Sequence, residues 1–174
     1  FSESFARSVE IAGVVRWLEQ QEDSAGLASW RRQERYRQQL QQLADETREK
    51  LARLYARPLP AQSMAAQKQV VLETFSEQAT KLARKLNLRP ARWLSPEQVN
   101  NAALALFSTY QEHVPAFLAL LRSLDGDFAA FFRKVRTIAS LPADKRAETM
   151  AYWNKVAQRE GQVADLYAPE PRHR

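Results

Sequence analysis

The sequence predicts an all-α fold, and three observations carry that expectation. Ala, Leu, Gln, Arg and Glu recur throughout, while the 174 residues include only four glycines and eight prolines; this is helix-forming material with few breakers. Apolar residues return at three-four spacing over long stretches. The breakers that do occur are bunched between those stretches, in "EDSAG", "RPLPAQS", "NLRPARW" and "LDGD". With 45% apolar residues the chain can bury a real core, and no run of about 18 apolar residues marks a membrane span.

The first helix runs from about Ser2 to Gln20. Phe5, Val9 and Ala12 form one stripe, and Ile11, Val14, Val15 and Leu18 widen it until little polar surface is left, so this helix is expected to be buried on most sides. Glu22 to Gly26 breaks it. A long helix follows from about Leu27 to Arg57, with Tyr36, Leu40, Leu43, Thr47, Leu51 and Leu54 in register. Two prolines then turn the chain, Ser63 is a candidate cap, and a helix from about Met64 to Leu88 repeats the spacing through Val71, Phe75, Ala79, Leu82 and Leu86. Two long helices joined by a short turn imply an antiparallel hairpin over 27–88, with arms of roughly 35 to 45 Å at 1.5 Å per residue. Ser95, Pro96 and Glu97 read as the next helix start, and Pro115 as an interruption or kink after His113 and Val114. Asp127 is the expected cap of a helix through Phe128, Phe131, Phe132, Val135 and Ile138, and a last helix runs from near Pro142 to about Val156. The reading is a single helical domain over 1–168, comprising the helix 1–20, the hairpin 27–88 and a bundle over 95–156, with 169–174 as a flexible tail.

Charge excludes little. The 26 Lys and Arg against 20 Asp and Glu leave +6, much of it in "WRRQERYRQQLQQLADETREKLARLYARP". Cations there are interleaved with Glu and Gln, the pattern of a solvated face with local ion pairs, so nucleic acid is not an expected partner. The absence of Cys excludes disulfides and thiolate metal sites. There is no phosphate-cradling glycine loop and no nucleophile elbow. The only histidines are His113 and His173, read as a helix-end surface residue and a tail residue. Catalysis would have to rest on carboxylates, Tyr, Asn and Arg. Glu3 stands out among these as a carboxylate in the first turn of an otherwise apolar helix. There it either complements the helix N-terminus or pairs with Arg7, or it delivers an oxygen donor to a metal.

A resemblance favours the second alternative. "FSESFARSVEIAGVVRWL" resembles the short block, of the form Asn-Glu-x-Phe-Ala, that follows the HExxH helix in gluzincin-type zinc peptidases. The chain as a whole is similar to the C-terminal part of a bacterial aminopeptidase family, many members of which carry lipoprotein signals. "ESFA" at Glu3 to Ala6, "GVVRWL" at Gly13 to Leu18, "NNAAL" at Asn100 to Leu104, "TYQEHVPAF" at Thr109 to Phe117 and "GDFAAFFRKVRTIASLP" at Gly126 to Pro142 carry it. Ser2 stands where the block usually has Asn, and no HExxH occurs in these residues.

The resemblance implies a zincin-like peptidase read from just beyond its HExxH helix. Glu3 would be its third zinc ligand, Tyr110 the catalytic oxyanion donor, Asn100 and Asn101 substrate-binding amides, and Arg7 and Glu10 the support behind Glu3. It implies a peptide substrate, an HExxH-bearing N-terminal part as partner, and a location in the bacterial cell envelope or periplasm. Zinc is expected in the intact protein but not bound tightly by this piece, which is expected to be inactive alone and to self-associate. Two other function classes stand beside it. One is a noncatalytic helical interaction module docking through 27–88; the other is a binder of nucleic acid or anionic membrane using Arg31 to Arg57.

Overall fold

A computed structural model describes residues 1–108 and 113–159 of the chain. Among these residues the structure is all-helical. It comprises α1 (Ser2–Gln20), α2 (Ser24–Tyr55), α3 (Ala61–Lys85), a 3-10 turn (Arg92–Leu94), α4 (Asn101–Ser108), α5 (Val114–Arg122), α6 (Phe128–Ala139) and α7 (Ala143–Arg159). The fold class is the one the helix-forming composition predicts. Contacts gather into two units, one made of Phe1–Leu27 with α5 to α7, the other running from Ala28 through α4.

In the first unit α5 is the centre, packing on α1, α6 and α7. Its sequence "VPAFLALL" offers no polar position, and Val114 and every residue from Ala116 to Leu121 are buried. Phe131, Val135 and Ile138 of α6 and Met150 of α7 complete this core, with Phe1, Phe5, Val9 and Ala12 packed against it half-buried. Phe131 and Phe132 belong to it, as their apolar spacing suggests.

One expectation for this unit needs correction. Helix α1 is not buried on most sides: it buries Ser4, Ser8, Ile11 and Leu18, leaves Val14 and Val15 half-buried, and exposes Trp17 at 59%. Its apolar arc is wider than its neighbours cover, and small hydroxyls occupy part of the inward face. The Ser8 hydroxyl satisfies itself by donating to the Phe5 carbonyl at 2.7 Å. Pro115 stands at an interruption and not at a kink: α4 ends at Ser108 and a separate helix, α5, begins at Val114. It sits in the first turn of α5, where a missing N–H costs nothing. The Asp127 cap is where the sequence puts it, accepting from the N–H groups of Ala129 and Ala130 at 2.8 and 3.1 Å. Before it the chain turns through left-handed Asp125 and Gly126, at φ of 53° and 72°.

The second unit is built on the hairpin. Leu40, Ala44, Leu51 and Leu54 of α2 share a core with Leu72, Phe75 and Ala79 of α3, and Leu94, Val99 and Leu104 close it. Helix α2 begins three residues before Leu27 because Asp23 caps it, accepting from Gly26 N–H at 2.8 Å. A Cβ on residue 26 would lie 2.2 Å from that carboxylate, so a larger residue there would have to displace the Asp23 side chain from its present position. Helix α3 likewise starts early, at Ala61 after Pro60; Ser63 is an exposed residue inside the helix and not its cap. Asn87 at φ 54° ends the helix, with Leu88 N–H donating to the Ala83 carbonyl at 2.9 Å.

Ser95 does not start a helix either. The buried Ser76 hydroxyl donates to the Leu94 carbonyl and ties the preceding 3-10 turn to α3, while Gln98 and Val99 fold back onto the Ser95 carbonyl. The Ser95 hydroxyl instead hydrogen-bonds Glu97 and holds its carboxyl below the usual range. Helix α4 begins six residues later, capped by Asn100, whose Oδ1 accepts from Ala103 N–H at 3.0 Å.

Candidate functional site

Glu3 is the second residue of α1 and is exposed. The residues around it are held firmly. Phe1 packs edge-on against Phe117 at 5.1 Å, and the Arg146 guanidinium lies over the Phe1 ring at 5.7 Å from its centre. Phe5 touches three rings, Phe117 at 5.8 Å, Phe131 at 5.9 Å and Phe132 at 6.0 Å. Between them Ser4 is buried at 3% exposure, and its hydroxyl oxygen accepts the backbone N–H of His113 at 3.4 Å. The first turn is thus anchored at positions 1, 4 and 5 while its carboxylate points to solvent. This is how a fold presents a ligating or binding group at low entropic cost.

His113 occupies the helix end expected of it, as the N-cap residue of α5, but it is half-buried rather than a surface residue. Its Nδ1 stands 3.5 Å from the Asn154 side-chain nitrogen on α7. Sequence reasoning missed Ser4 and Asn154. The signal for Ser4 was its spacing, four residues before Ser8 and seven before Ile11 on what proves to be the inward face.

Arg7 and Glu10 pair with each other at 2.6 Å, the guanidinium nearly buried and the carboxylate exposed. Asn100 and Asn101 lie in the other unit. There Asn100 caps α4, and the Asn101 side-chain amide meets the Tyr55 hydroxyl at 3.0 Å. Both asparagines therefore carry local structural bonds. Tyr110, His173 and the tail 169–174 lie outside the described residues.

Among the described residues no three His, Asp or Glu side chains converge in a way that could hold a metal ion. A zinc site takes at least three protein donors, so the donor set of these residues does not fit zinc by itself.

No curated protein and no solved structure matches this chain. A family model described as Putative aminopeptidase does match, over residues 1–150, which takes in Glu3, both asparagines, Tyr110 and all of α1 to α6. The chain belongs to that aminopeptidase family.

Proposed function

We propose that this chain is the helical C-terminal portion of a zinc-dependent aminopeptidase, in which Glu3 is one ligand and the histidine ligands come from outside these 174 residues. The observation that carries the reading is the anchored first turn of α1, an exposed carboxylate on rigid backbone within the family-matched region. Zinc, when bound, would supply Lewis acidity and an activated water for hydrolysis of a peptide bond. The contribution of this chain is positional. Phe1 and Phe5 fix the turn against α5 and α6, the Ser4 to His113 bond fixes its rotation, and the Arg7 to Glu10 pair braces the next turn. Tyr110 is the candidate donor to the oxyanion, and Asn100 and Asn101 are candidate donors to the substrate. The Asn100 Oδ1 can keep the Ala103 N–H in that role, and each side-chain NH2 has a second N–H beside the one it gives to the Gln98 carbonyl or the Tyr55 hydroxyl.

Hydrolysis of an amino-acid p-nitroanilide tests this reading. The complete gene product should turn it over in a chelator-sensitive way, and residues 1–174 alone should not. Tyr110→Phe should lower turnover about 10²-fold without loss of zinc. Chelator-resistant turnover, or equal turnover by the 174-residue chain alone, would overturn it.

A further inference from the structure

A groove of about 490 Å³ runs between the end of α2 and the start of α3, and nothing in the peptidase reading uses it. Leu54, Val70 and Val71 form its apolar side, Val70 being 61% exposed. Lys50, Arg53 and Arg57 form its rim. The negative end of the α2 dipole favours cations at this place, but that does not account for a bare valine beside them. Nor are the cations neutralised where they stand. Arg53 reaches Glu49 only at 3.7 Å with both side chains about 70% exposed, a pair worth little in water, and Arg57 donates to the neutral Gln67 at 2.9 Å.

We propose that this groove docks an acidic amphipathic helix of a protein partner, its apolar stripe seated on Val70 and Val71 and its carboxylates on Lys50, Arg53 and Arg57. Charge complementarity selects an acidic occupant. The shape selects a helix over a bilayer, since a concave groove between two helices receives protruding side chains. Lys50 and Arg53 stand about 4.5 Å apart along α2 and Arg57 lies just beyond its end, so the partner's acids should recur over about two turns flanking its apolar stripe. The net charge of +6 on the whole chain would add long-range attraction.

The test uses the full chain and a fluorescein-labelled synthetic helix carrying Leu on one stripe and Glu on both flanks, followed by fluorescence anisotropy. Saturable micromolar binding is expected, weakened at least about tenfold between roughly 50 and 500 mM NaCl. The double variant Lys50→Glu with Arg53→Glu, and separately Val70→Asp, should each weaken binding about tenfold or more; all three sites are exposed, and unchanged circular dichroism would verify folding. The proposal is overturned if binding is weaker than about 1 mM, or if a scrambled peptide of the same composition binds as well. It is also overturned if phosphatidylglycerol vesicles are bound and the helix is not, or if Val70→Asp abolishes a self-association that had occupied the groove.

Discussion

Truncating Phe131 to Ala should cost the first unit about 3 to 5 kcal/mol. Phe131 is fully buried, with ring centres at 5.9 Å from Phe5, 6.3 Å from Phe117 and 5.9 Å from Phe132, so it joins α6 to both α1 and α5. Transfer of the lost ring and the cavity left behind make up most of the cost, and each ring pair adds about 0.5 to 1.5 kcal/mol to the aromatic contribution within that range. Domain stability is typically about 5 to 15 kcal/mol, so the variant should sit near the edge of folding. Phe131→Leu keeps part of the volume but loses the three ring pairs, and should cost less, about 1.5 to 2.5 kcal/mol. Urea unfolding followed by circular dichroism measures both losses, and hydrogen exchange should place the loss of protection in α1, α5, α6 and α7. The packing account fails if Phe131→Ala lies within about 1 kcal/mol of wild type, or if the Ala and Leu variants are equally destabilised.

Two further predictions concern polar groups. Asp127→Ala removes a carboxylate that accepts two backbone N–H groups at the start of α6 and should cost about 1 kcal/mol by the same urea assay, while Asp127→Asn should cost less. The Tyr36 hydroxyl is buried without a partner among the described residues, and burial raises its pKa above the ordinary tyrosine value. The folded state therefore holds the proton more tightly than the unfolded one. Its contribution is complete below about pH 10 and is lost as pH rises through the folded pKa. Tyr36→Phe should be neutral or stabilising at pH 7 and should reduce the loss of stability above about pH 10, whereas a stability loss of several kcal/mol at pH 7 would reveal a partner for the hydroxyl.

Helix periodicity made most of the fold legible, because α2, α3 and α6 carry apolar residues at three-four spacing with breakers between them. What the sequence hid were the starts. Asp23 and Asn100 cap α2 and α4 through local bonds to Gly26 and Ala103, and α3 follows Pro60, where Leu27, Ser63 and Ser95 are the expected starts; only at Ser95 does a tertiary contact intervene, the Ser76 to Leu94 bond that holds the preceding turn. The burial of α1 was overestimated because apolar content states what a helix can bury and not how much neighbouring surface exists to cover it. At the candidate site the carboxylate itself was legible in its first-turn position. The clamp around it was not, because Ser4 meets His113 across 109 residues of chain, a contact that no local pattern encodes.

Metal content tests the central claim most directly. Zinc should be measured by mass spectrometry in the purified complete gene product, in its Glu3→Gln variant, and in Glu19→Gln, an exposed carboxylate at the far end of the same helix, as a control. The account predicts about one zinc per chain in the unaltered protein, retained in Glu19→Gln, and reduced to roughly a tenth or less when the anionic oxygen of Glu3 is replaced by a neutral amide. A full complement of zinc in Glu3→Gln, or none in the unaltered protein, would contradict it.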